Sequence, residues 1–294
     1  MANQNRAALK LIGAMLIFGS IGLFVRYISL DSGFIALVRA VIGVIFLLTV
    51  IFLRRHPISF AAVRKNFVLL CVSGAAIGFN WILLFESYRF VSVAVGTLCY
   101  YMAPILVILL SPVVLKERLT LRKCVCIAAA FIGMALISSI GTDGLGDAGS
   151  VKGILLGLGA AGLYASVMLM NKHITNIGAF DKTIVQLAVA AIVLLPYNLL
   201  TVNWSGFTVT APTVALLALV GIVHTGFAYY LYFGSMEHLS GQSIAIFSYI
   251  DPVVAVLASV ILLKEPFTWI NAIGALLIIG SAAVSELNGK GRGK

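Results

Sequence analysis

The chain has 294 residues, of which 61% are hydrophobic and only 10% are charged. A soluble globular chain carries roughly 25% charged residues, and a single core of this size cannot hide so much apolar surface, so the composition calls for a bilayer. The net charge of +10 does not point to nucleic acid, because the basic residues sit in short loops between long apolar runs.

In chain order, long apolar runs predict membrane-spanning helices at 8–28, 33–53, 67–89, 92–114 and 121–140, then at 152–174, 181–201, 211–233, 241–263 and 268–285. Each is long enough to cross ~30 Å of hydrocarbon as a helix. The first run reads as a retained helix rather than a cleaved signal. Polar turns are expected at Ser87 to Ser92 and at Met236 to Gly241. With the N-terminus in the cytoplasm, fifteen Lys and Arg residues lie inside, among them Arg54, Arg55, Lys116, Arg118 and the 286–294 tail with Lys290, Arg292 and Lys294. Four (Arg26, Arg89, Lys152 and Lys264) lie outside. That bias predicts an inner-membrane protein with both termini cytoplasmic.

The two halves, 8–140 and 152–285, repeat each other. Gly13-Ala14, Ser20, Leu23 and Ile28 match Gly159-Ala160, Ser166, Leu169 and Ile174 at an offset of 146. Gly78-Phe79, Tyr101, Pro104 and Leu115-Lys116-Glu117 match Gly226-Phe227, Tyr249, Pro252 and Leu263-Lys264-Glu265 at 148. A collinear series of this length is not a chance event. Each half has five predicted helices, so the halves are expected to enter the membrane in opposite directions. The fold expectation is therefore an all-α membrane protein of ten transmembrane helices in two inverted five-helix repeats. That arrangement is typical of secondary transporters.

Asn80-Trp81, the stretch Tyr101-Met102-Ala103-Pro104 followed by Leu115-Lys116-Glu117, and the second copy Tyr249-Ile250-Asp251-Pro252 followed by Leu263-Lys264-Glu265-Pro266 resemble the EamA branch of the drug/metabolite transporter superfamily. Arg39 in the second span fits the same pattern. The resemblance covers about residues 8–285. It implies a basket of eight helices around a central cavity, with the fifth and tenth helices peripheral. It also implies transport of small molecules: export of amino acids or other metabolites, or movement of an organic cation such as choline.

Charge inside a membrane is expensive, so each such residue is a site candidate. Arg39 lies ~9 Å below the outer end of its span and Glu86 ~6 Å below the end of its own, taking 1.5 Å per residue. The two are expected to be able to pair. Arg39 reads either as a clamp for a substrate carboxylate or as a structural cation. Glu86 reads as a gate or as an interfacial ion pair. Asp251 reads as a proton-coupling carboxylate or as a support for a helix kinked by Pro252, with Pro104 as the equivalent hinge. Trp81, Tyr100, Tyr101, Tyr164, Tyr229, Tyr230, Phe247 and Tyr249 lie within spans and are expected, with Asn80, to line the substrate pathway, where rings stack on flat side chains or hold cations. His224 reads as a buried neutral histidine. Cys71, Cys99, Cys124 and Cys126 lack metal or redox spacing and read as packing residues. No cofactor or metal is expected. The expected partners are a small-molecule substrate, protons and the lipid bilayer, with the chain a monomer or homodimer. No intramembrane HExxH, aspartate pair or Ser/Lys dyad suggests an enzyme.

Overall fold

The structure is a computed structural model that describes residues 2–55, 58–114, 116, 119–138, 148–202, 204, 209–236, 239 and 247–287. Glu117, Arg118, Gly241 and the basic residues of the tail lie outside the described residues, as does the start of the ninth predicted span.

The first half begins with α1 (Ala2–Val25), α2 (Ser32–Arg54), a one-turn α3 (Phe60–Lys65) and α4 (Phe67–Ser87). It continues with α5 (Val93–Tyr100), α6 (Ala103–Val114) and α7 (Leu121–Ser138). The second half has α8 (Ala148–His173), α9 (Ala179–Thr201), α10 (Ala211–Gly221), a π-helical segment (Ile222–Phe227), α11 (Ala228–Met236), α12 (Ile250–Ile261) and α13 (Trp269–Leu287). Among the described residues there is no strand. Among the described residues, seven stretches are long and apolar enough to cross a membrane by length and composition: Gln4–Val25, Ser32–Arg54, Phe67–Ser87, Val93–Val114, Ala148–His173, Ala179–Thr201 and Ala211–Ser235.

Local chemistry sets several boundaries. Ser92 caps α5 by accepting from the Val95 amide at 3.2 Å. Thr210 caps α10 by accepting from the Thr213 amide at 3.4 Å, with Pro212 in the first turn. Each cap satisfies an N–H that the helix itself leaves open. Lys116 and Lys264, at matching places in the two halves, share a left-handed backbone, with φ of 55° and 54°.

The fourth predicted span is not a continuous kinked helix. It breaks at Tyr101 and Met102, so that Pro104 is the second residue of α6. Pro252 is likewise the third residue of α12, after a turn at Tyr249. In a first turn the missing proline N–H costs nothing, so these prolines start helices rather than bend them.

Helix contacts follow a pattern that exchange of the halves preserves. α4 packs on α8 as α11 packs on α1, and α4 packs on α9 as α10 and the π segment pack on α2. α5 and α6 lie on α8 as α12 lies on α1. α2 meets α9, α5 meets α12, and α7 meets α13. The α4–α9 and α2–π interfaces are both glycine-mediated. A Cβ on Gly74 would fall 2.6 Å from the Gln186 carbonyl oxygen and 2.8 Å from Val189 Cβ. One on Gly221 would fall 2.7 Å from Ile42 Cβ, and one on Gly226 would collide with the Phe46 ring. Small residues at such contacts let helix backbones meet closely where water cannot drive association. Large apolar side chains such as Phe52, Leu200 and Trp269 point outward, as lipid-facing surface requires.

Candidate functional site

A cavity of about 510 Å³ runs through the middle of the helices. Arg39, Asn80, Trp81, Tyr100, Tyr101, Tyr164, Tyr229, Tyr249, Asp251 and Pro104 all line it. No residue of α7 or α13 does.

Arg39 is 6% exposed and sits on α2 facing the cavity. Its Cζ lies 4.0 Å from the centre of the Trp81 ring and 5.7 Å from that of Phe85. Its Nε donates to Thr225 Oγ1 at 2.7 Å. Among the described residues no acceptor takes its two Nη groups, and neither is sealed from the cavity. A guanidinium held by a ring face and one hydrogen bond keeps its planar fork available for a carboxylate. Asp251 lies in the first turn of α12, with the Tyr101 hydroxyl approaching its carboxylate. Tyr100 and Tyr164 stack with centroids 5.1 Å apart, and Tyr229 stacks on Phe233 at 5.6 Å. Asn80 donates from Nδ2 to the Ala160 carbonyl at 2.5 Å, which joins α4 to α8 and leaves its Oδ1 as an acceptor.

Three sequence expectations fail. Arg39 and Glu86 do not pair. Glu86 accepts from Ser32 Oγ at 2.7 Å and from Arg89 at 3.2 Å, at the helix end, where both partners are nearer than a buried arginine. Tyr230 does not line the cavity. It accepts from Arg54 Nη2 at 2.5 Å and stacks on Phe227, because one helical residue turns it 100° from Tyr229. Phe247 packs beside Leu11 and Met15 instead of reaching the cavity.

The cavity also holds polar residues not singled out in the sequence. Gln186 donates to Ser73 Oγ at 2.7 Å and to Asn171 Oδ1 at 2.9 Å. Lys182, in the first turn of α9, reaches the cavity nearby. Gln186 and Asn171 were legible as polar residues inside spans. Thr225 gave no such signal. His224 accepts or donates to Ser20 Oγ at 3.2 Å and is 2% exposed, the buried hydrogen-bonded histidine expected.

The two ends of the cavity differ. At the end where α1 and α12 finish and α5 begins, Glu265 accepts from the Val93 amide at 2.9 Å and from Ser259 Oγ, and lies 3.9 Å from Arg26. Tyr88 closes this end, its hydroxyl 3.1 Å from Thr97 Oγ1. At the opposite end, where α8 finishes and α9 begins, the lining includes Asn171, Ala179 and Lys182.

The EamA-like transporter family profile matches residues 5–139 and again residues 151–286. An uncharacterized transporter of Bacillus subtilis (strain 168), YxxF, is 30% identical over 98% of this chain and 92% of its own length. The uncharacterized inner membrane transporter YicL of Salmonella typhimurium is 21% identical over 100% of this chain and 99% of its own, and the protein PecM of Dickeya dadantii is 26% identical over 69% and 68%. A solved crystal structure superposes with a TM-score of 0.65 at 20% identity, over 95% of this chain and 96% of that one, which establishes the likeness of fold. With the whole chain matched in two copies, the protein is a member of the EamA-like transporter family.

Proposed function

We propose that the chain is a secondary active transporter that works by alternating access and exports small zwitterionic metabolites, amino acids foremost. The observation that carries this reading is the Arg39 guanidinium, buried in the cavity wall with both Nη groups free of any described acceptor. A buried cation needs a partner, and a substrate carboxylate supplies one. Asp251 across the cavity suits the ammonium, and stacked rings suit the side chain.

In this reading the chain crosses the plasma membrane ten times as two halves of opposite insertion, with both termini in the cytoplasm. The exchange-symmetric helix pairing supports two such halves. The positive-inside bias then puts Arg26 and Glu265 outside and Lys182 inside. The cavity is thus reached from the cytoplasm, the state that loads an exported substrate. Asp251, beside Tyr101, is the proton-coupling group, Glu86 belongs to the outer gate, and the helix starts at Pro104 and Pro252 are the hinges.

The seven cavity tyrosines with Asp251 favour a second reading, an organic cation held over ring faces. Transport in proteoliposomes against amino acids, organic cations and nucleosides, with and without a pH gradient, separates the two. For a zwitterion, Arg39→Lys keeps the charge but loses the fork and weakens transport by about tenfold. Binding of a quaternary amine that survives Arg39→Lys but is abolished in Trp81→Ala overturns the zwitterion reading.

A further inference from the structure

Arg39 is fixed from behind by a residue that never touches the cavity. Thr225 is 0% exposed, lies in the π segment and is absent from the lining. Its oxygen accepts the Arg39 Nε–H at 2.7 Å, while its own proton goes to the Val220 carbonyl, five residues back, at 3.2 Å. The hydroxyl therefore has a fixed direction: its proton is committed within the second half, and a lone pair faces the arginine. The methyl group is fixed as well, because α2 comes so close that a Cβ on Gly43 would fall 2.6 Å from Thr225 Cγ2. The Trp81 ring covers the flat face of the guanidinium at 4.0 Å. With Nε tied and one face covered, the Nη edge is the part of Arg39 left for a ligand.

We propose that Thr225 is the positioning residue of the binding site. It aims the Nη edge of Arg39 at a substrate carboxylate and makes that contact one between the halves, since Arg39 and Trp81 belong to the first and Thr225 to the second. The inference rests on the reading that Arg39 takes the substrate carboxylate. Loss of the hydroxyl frees the guanidinium to turn over Trp81 and leaves a buried N–H without its acceptor. A hydrogen bond to a charged group is lost with it, so the carboxylate should bind about tenfold more weakly.

The test uses the full chain in lipid nanodiscs with Trp204→Phe and Trp269→Phe, which leaves Trp81 as the sole tryptophan. Thr225→Val and Thr225→Ser are compared with this parent. Trp81 emission without ligand reports the guanidinium above its ring. Titration with an equimolar mixture of the common amino acids, omitting tryptophan and tyrosine, reports binding. The expected result is a shifted emission and about tenfold weaker half-saturation in Thr225→Val, with both restored in Thr225→Ser. If Thr225→Val does not fold, Thr225→Ala provides the same comparison. A hydroxyl-free variant whose emission and half-saturation equal the parent's overturns the proposal. So does a Thr225→Ser protein as impaired as Thr225→Val, because the methyl contact would then be the cause. A parent that gives no saturable response, while Thr225→Val still shifts the emission, overturns the amino-acid reading and supports the positioning of Arg39 by Thr225.

Discussion

The two ends of the central cavity are built from different helix ends and packed in different ways. At the Glu265 end the glycines are spent. A Cβ on Gly22 would collide with Val93 and one on Gly153 would fall 2.7 Å from Val91, and one on Gly19, nearer the middle of the cavity, would collide with the Asp251 carbonyl oxygen. At the Lys182 end the cavity wall carries Asn171, Gln186 and Lys182. The Glu265 end thus combines backbone-close packing with a carboxylate that caps α5, whereas the Lys182 end has polar side chains facing the cavity. The packing at the Glu265 end is a matter of helix approach and not of a single plug.

That comparison can be broken at either end. The largest effect is expected for Gly19→Val, since a side chain there meets backbone that cannot rotate away. Overpacking of this kind costs about 1–3 kcal/mol, read as a lowered thermal midpoint in detergent. A midpoint equal to that of the unaltered protein would show that α1 and α12 are not tightly packed here. Glu265→Ala removes the second cap of α5, leaving Ser92 on the Val95 amide, and should cost about 1 kcal/mol, seen as roughly fivefold faster hydrogen exchange at Val93. Unchanged exchange there would show the cap to be dispensable.

Gly162→Ala provides the contrast, on a face of α8 that does not line the cavity and has nothing within 4 Å of an added Cβ. The substitution should leave stability unchanged or raise it by up to ~1 kcal/mol, because alanine is the better helix former and has room. A lowered thermal midpoint would show that a neighbour meets this face. The smallest effect belongs to Lys182→Met. Transport of an anionic or zwitterionic substrate loaded from the Lys182 side should slow a few-fold at low ionic strength, and the difference should vanish in ~1 M salt, where the screening length is about 3 Å. A salt-independent loss would instead make Lys182 a direct contact.

Helix positions were legible in the sequence because membrane spans announce themselves by length and apolarity, and the repeat by matched residues such as Tyr101-Pro104 and Tyr249-Pro252. Most of the cavity wall was legible for a related reason: Arg39, Asn80 and Asp251 are too polar for lipid to be their neighbour. What failed depended on angle and not on residue type. Tyr229 and Tyr230 are equal by composition, and only the helix phase separates cavity from periphery. Glu86 lies at the same depth as several partners, and depth alone cannot rank Ser32 and Arg89 above Arg39. Glu265 was read as part of a repeated motif, but its role as a cap on α5 requires two segments 172 residues apart to meet.

The π segment has a consequence for the ancestry of the two halves. In α4 the glycines that meet α9 are Gly74 and Gly78, four apart; in the second half those that meet α2 are Gly221 and Gly226, five apart. The second copy thus carries one residue more between two contacts that both halves keep. A regular α-helix would rotate everything beyond the extra residue by about 100° and carry Gly226 off the interface. Widening one turn to a π-helix absorbs the residue in place and leaves the register on either side intact. An insertion after duplication is thereby rendered harmless to packing. Its product is a turn with no counterpart in α4, and that turn carries Thr225.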